Sequence, residues 1–119
     1  MPQSIYERHG GFSSVRKLVS DFYDRVLDAE ILAPYFANVN MKVQIDHQTR
    51  FVSYLLGGPA SYSDDHIQRV HRRLGITNDA FEEMVLTMRE VLEDHGFSGA
   101  EVDEVEQELR ARQPLVVTA

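Results

Sequence analysis

The chain has 119 residues, 43% of them hydrophobic, with a net charge of −7 and a pI near 5.1. That length suits one compact domain spanning residues 1–119, and the acidic balance argues against nucleic-acid phosphates or anionic membranes as partners. With no cysteine, disulfides, thiolate metal sites, cysteine nucleophiles and thioether-linked haem are all excluded, so histidine must carry any soft-ligand chemistry.

The start MPQSIYERHG lacks the charged region and apolar run of a secretory signal, and no stretch approaches the ~18 apolar residues of a membrane span. A cytoplasmic location follows by default. Ser4 caps a first helix over Ile5–His9, which Gly10-Gly11 ends. Ser13 or Ser14 opens the next, where Val15, Leu18, Val19, Phe22, Val26 and Leu27 recur at helical intervals and Tyr23 also points inward. Pro34 sits in a tight helical turn over Ile31–Phe36. Asn38 or Asn40 caps a helix that Gly57, Gly58 and Pro59 stop. After a loop at 60–65, a brief helix spans Ile67–Leu74, with Ile67, Val70, His71 and Leu74 on one side, and Gly75 closes it. Thr77 or Asn78 caps a long helix with Phe81, Met84, Val85, Met88 and Leu92 inward, ending at Gly96. Ser98 and Glu101 form a capping box before Val102, Val105 and Leu109, and Pro114 ends that last helix. No segment alternates with period two and nothing repeats, which predicts an all-α domain of five or six helices.

The helix between Asn40 and Gly58 is the unusual one. Met41, Gln44, Ile45, Gln48, Val52 and Leu55 share a broad stripe, with His47 and Phe51 on its flank. A buried amide without partners costs about 1–3 kcal/mol, so glutamines on a core-facing stripe imply something polar lodged in the interior. Five histidines are present. His9 and His95 abut glycines at helix ends, where a cationic side chain complements the dipole. His66 and His71 are turned about 140° apart and do not chelate one ion together. His71, among Ile67, Val70 and Leu74, is placed either as a core histidine bonded to backbone or as an iron ligand whose second nitrogen donates to a carbonyl. Tyr23, Gln44, His47 and Gln48 form a group of donors without acidic partners, for which haem-bound dioxygen is one fitting acceptor. The acidic runs at Glu82-Glu83 and Glu101–Glu108 read as solvated helix faces, and Met84 and Met88 as core filling. No zinc-protease, phosphate-loop or nucleophile-elbow motif occurs.

A set of spaced marks makes the chain specific: Ile5-Tyr6 with Gly10-Gly11, Phe22-Tyr23, Tyr35-Phe36, Met41 to Phe51, Gly57-Gly58-Pro59 with Tyr62, then Val70-His71, Leu74, Ile76 and Phe81. Over about residues 4–112 it closely resembles the truncated haemoglobins, the two-over-two globins, and their first group above all, in its cyanobacterial form. The resemblance implies a two-over-two helical sandwich around a non-covalent haem b. It implies His71 as the proximal iron ligand, Tyr23 as the distal tyrosine, Gln44 and Gln48 as the distal helix positions, and Phe36 as the aromatic packing on the porphyrin, with Phe51 also in the pocket. His47 falls where cyanobacterial-type members carry a histidine that binds the iron directly. It further implies a helix before His71 shorter than periodicity suggests. The chain departs from the pattern in having no histidine near its carboxyl terminus for a covalent haem link. The expected function is reversible binding of dioxygen, nitric oxide or carbon monoxide by a monomer or weak dimer. Nitric oxide dioxygenation with an external reductase is one use of that binding. Gas sensing, oxygen storage or carriage without turnover is the alternative, and a haem-free helical interaction module a third.

Overall fold

The computed structural model describes residues 3–59 and 62–119. Every regular element among them is helical: α1 (Ile5–Arg8), α2 (Phe12–Asp28), a 3-10 turn (Ala33–Phe36), α3 (Met41–Leu55), α4 (Asp64–His71), α5 (Asn78–Asp94), α6 (Gly99–Ala111) and α7 (Gln113–Val116). The long helices form two pairs. α2 packs along α3, α5 packs along α6, and α2 also crosses α5 so that one core joins the layers.

The apolar spacing accounts for this packing. α2 buries Val15, Leu18, Val19, Phe22, Tyr23 and Val26, and α5 answers with Phe81, Val85, Met88, Val91 and Leu92. Each such side chain contributes about 1.5–3 kcal/mol on full burial, an upper figure against a compact unfolded chain. Leu27, expected on that stripe, is exposed instead, because one residue beyond Val26 the helix has turned about 100° off the core.

Side chains cap five helices, through Ser4, Asn40, Ser63, Thr77 and Ser98. α2 begins differently, at Phe12 rather than at a serine. Gly11 precedes it at φ 75, a left-handed angle that side-chain-bearing residues avoid, and no side chain caps the helix. α1 is hooked onto the end of α3 by the hydrogen bond from Tyr6 N to Leu56 O, 2.9 Å. A Cβ on Gly58 would lie 2.8 Å from Ser53 O and 2.9 Å from the Tyr6 ring, so this crossing accepts only glycine.

Several sequence expectations are corrected. Of the expected loop at 60–65, Ala60 and Ser61 lie outside the described residues, while Asp64 and Asp65 already belong to α4. That helix lies three residues earlier than its apolar spacing implied and is no shorter, because the Ser63 hydroxyl accepts from His66 N and fixes its start. Of its expected inner face only Ile67 is buried. Pro114 does not end the chain's helices. It sits in the first turn of α7, where a missing N–H costs nothing, and α7 packs against α4.

The acidic face of α6 is not all solvated. Glu101 accepts from Ser98 N, from His9 Nε2 at 3.0 Å and from Arg8 at 2.9 Å, tying α1 to α6. The Ser98 amide first, then His9 and Arg8, holds its carboxyl down to about 2. His9 also stacks on Phe97, and His95 pairs with Asp21 at 3.1 Å. Both histidines therefore meet carboxylates of other elements, which no local signal announced.

Candidate functional site

α4 presents His71 at its last residue. Nδ1 lies 2.7 Å from Ile67 O, one turn back. A carbonyl only accepts, so Nδ1 carries the hydrogen, and in the neutral ring Nε2 keeps its lone pair. Ile67 is buried at 4% and anchors the helix, so the same turn that fixes the carbonyl fixes the ring. Among the described residues no three His, Asp or Glu side chains gather to hold a bare metal ion. A single oriented imidazole suits a metal that brings its remaining in-plane ligands with it.

Tyr23 is 3% exposed, within α2, and its hydroxyl accepts from Gln44 Nε2 at 3.1 Å. That bond uses an oxygen lone pair and leaves the phenolic hydrogen free to donate elsewhere. Burial pushes the phenol well above the usual tyrosine range, so it stays protonated wherever the protein is folded. The Phe36 ring meets Tyr23 edge to face with centroids 5.4 Å apart, holding the phenol from the side of the 3-10 turn.

The stripe of α3 that carries Gln44 and Gln48 is half-buried rather than its deepest face. Thr49, Val52 and Ser53 form that face, about 100° around the helix. The two hydroxyls reach the core without loose donors, because Thr49 Oγ1 donates to Ile45 O at 2.6 Å and Ser53 Oγ to Thr49 O at 2.7 Å. The Gln44 amide instead meets Tyr23, and Gln48 lies one turn further along the half-buried stripe. His47 is exposed on the far flank of the glutamine stripe, and its backbone oxygen accepts from the Tyr62 hydroxyl at 3.3 Å. The Tyr62 ring in turn meets Phe51 edge to face at 5.6 Å.

α3 packs chiefly on α2 and α4 chiefly on α7, with Tyr62 bridging toward α3. Both carry apolar side chains left open: Val43 on α3 is 46% exposed, Val70 on α4 53%, and Leu74 just after it 47%. Sequence spacing had placed Val70 and Leu74 in the core. A flat hydrophobic ring is the kind of group that would cover such side chains, with His71 as a nitrogen ligand for its metal and the Tyr23–Gln44 pair as polar donors. The residues present fit a haem. The Ile67 carbonyl and the Tyr62 bridge were the features that spacing alone did not single out.

The bacterial-like globin family matches residues 4–113. A group 1 truncated haemoglobin of Tetrahymena pyriformis is 32% identical over 103 residues, 87% of this chain and 85% of that protein. A group 1 truncated haemoglobin of a Synechocystis species is 31% identical over 108 residues, 91% of this chain and 73% of the relative. Among solved structures, the Fe(III) form of the Tetrahymena pyriformis protein superposes with a TM-score of 0.87 at 28% identity, covering 97% of this chain and 98% of that one. The two-over-two haemoglobin of a Synechococcus species, in the cyanomet state with covalently attached haem, gives 0.88 at 26% identity, covering 98% and 100%. The chain belongs to the bacterial-like globins and, within them, to the two-over-two truncated haemoglobins of group I, which bind haem.

Proposed function

We propose that the chain holds a non-covalent b-type haem between α3 and α4, with Nε2 of His71 on the iron, and binds dioxygen, nitric oxide or carbon monoxide beside Tyr23. The observation that carries this reading is how the hydrogens are assigned. His71 commits Nδ1–H to Ile67 and keeps Nε2 for a metal, while Tyr23 takes its bond from Gln44 and keeps its proton for a ligand. An iron porphyrin supplies the open coordination position and the one-electron chemistry. Tyr23 would donate its free hydrogen to a diatomic ligand bound there. Gln44 orients the phenol, Gln48 lies one turn further along the same face, and Phe36 and Phe51 wall the pocket. The chain's last histidine, His95, is engaged with Asp21, and there is no cysteine, which supports non-covalent retention in contrast to the Synechococcus relative's attached haem.

His47 stands at the exposed flank of α3 with its ring free of protein partners among the described residues. It would compete reversibly with the gas for the iron of a bound haem. The reaction this pocket supports best is nitric oxide dioxygenation, in which nitric oxide, dioxygen and one electron give nitrate, with an external reductase supplying the electron. Mixing the oxygenated protein with nitric oxide tests it. Stoichiometric nitrate is expected, with repeated turnover only when a reductase is added. Survival of the oxygenated spectrum would leave storage or carriage as the function.

A further inference from the structure

We propose that a second site, a cleft between the end of α1, the first turns of α2 and the end of α5, binds a small oxyanion. Its floor is apolar, from Val15, Leu18 and Phe97, and its rim is polar, from His9, Ser14, Lys17 and His95. The cleft measures about 180 Å³, room for a small anion with some of its waters at about 30 Å³ each. No residue of the haem pocket lines it.

The two imidazoles are oriented alike. Glu101 accepts from Ser98 and Arg8 as well as from His9, so it is a carboxylate and His9 Nε2 is the donor. Asp21 likewise accepts from Arg25 and from His95 Nε2. Each ring therefore has Nδ1 turned away from its carboxylate, and among the described residues neither Nδ1 nor the Lys17 ammonium has a protein partner. A neutral Nδ1 offers a lone pair, which repels an anion, whereas a protonated one offers an N–H. The ionic groups around the rings are Glu101 and Arg8 at His9, and Asp21, Arg25 and Asp94 at His95. Those five come to −1, which Lys17 cancels. The cleft thus passes from neutral to +2 as both imidazoles take protons, while Lys17 and the Ser14 hydroxyl donate throughout.

Each imidazole that takes a proton adds an N–H and a positive charge, so binding tightens as pH falls, by about tenfold between pH 8 and pH 6. Titrating the haem-loaded protein with inorganic phosphate, sulfate and acetate, each at both pH values, and following backbone and imidazole NMR signals tests this. Saturable shifts at Ser14, Lys17 and Phe97 are expected, and comparing the three probes separates tetrahedral anions from carboxylates. Lys17→Ala, at an exposed position, weakens binding at both pH values. His95→Gln, which keeps an amide donor toward Asp21, reduces the tenfold pH effect to about threefold, half of it on a logarithmic scale. Shifts that never saturate, or that are unchanged in Lys17→Ala and His95→Gln, overturn the proposal.

Discussion

The two sides of the proposed haem pocket are built very differently. On the distal side α2 contributes six buried side chains and packs along α3, whose inner face is fully buried, so Tyr23 and Gln44 are held by the main core. On the proximal side α4 has eight residues and buries only Ile67, leaning on the four-residue α7. A helix that short is not stable alone and takes its order from what it packs on. Tyr23 and Gln44 are therefore preorganised by the fold, while His71 sits on a helix that the core holds less firmly, and the proposed haem would steady it by covering Val70 and Leu74.

The largest effects fall on the proximal side. Losing a partner of a metal ligand costs about 10–100-fold in affinity, and His71→Ala, which removes the proposed ligand itself, exceeds that. The purified variant should lack the intense Soret band at equimolar haem unless His47 substitutes, and an unaltered wild-type spectrum would refute the assignment. Removing haem from the wild type should raise amide exchange through α4 to Gly75 and leave α2 and α5 protected. If α4 stays as protected as α2 in the haem-free protein, the contrast between the two sides is wrong.

Distal predictions are next in size. Tyr23→Phe removes a hydrogen bond to a partly charged ligand, worth about 1.5–3 kcal/mol, so dioxygen dissociation should quicken by roughly ten- to hundredfold in stopped flow. Because burial raises the Tyr23 phenol, the wild-type rate should stay flat from neutral pH into the alkaline range. His47→Ala should turn a six-coordinate low-spin ferrous spectrum into a five-coordinate one. If His47 occupies the iron about nine-tenths of the time, the variant's apparent ligand affinity rises about tenfold. Identical five-coordinate spectra in both proteins would remove His47 from the iron.

What the sequence disclosed follows the same division. The stripes of α2 and α5 and the caps at Ser4, Thr77 and Ser98 were readable because local spacing and local hydrogen bonds decide them. α3 carries its polar stripe half-buried, with the Gln44 amide donating to the buried Tyr23 hydroxyl. Its deepest face was not readable, because Thr49 and Ser53 look polar in sequence and satisfy themselves on the backbone. α4 was misplaced since the Ser63 cap fixes its start, while Val70 and Leu74, which set the apolar spacing, lie exposed rather than in the protein core. His71, Tyr23 and the glutamines owed their proposed roles to family resemblance, and spacing alone left His71 between core residue and ligand. The pairing of Glu101 with His9 and Arg8 joins residues some 92 positions apart, beyond the reach of any local pattern.

That pairing gives the smallest and most discriminating prediction. The Glu101 carboxyl is held near 2 against an ordinary 4.5, by the Ser98 amide first and by His9 and Arg8 after it. A depressed carboxyl contributes stability above its unfolded value and loses it as pH falls through the folded one, so the loss runs from about pH 4.5 to pH 2. Glu101→Gln keeps the capping geometry but not the charge. Its denaturation midpoint should indicate about 1 kcal/mol less stability at neutral pH, and the gap from wild type should close toward pH 2. Because α1 hooks onto Leu56 at the end of α3, this variant also asks whether the distal wall relies on that hook. Tyr23 and Gln44 are held from α2 and α3 directly, so dioxygen dissociation at neutral pH should match the wild type. A quickening as large as that of Tyr23→Phe would mean that the distal donors are positioned from outside the core, and the contrast with α4 would fail.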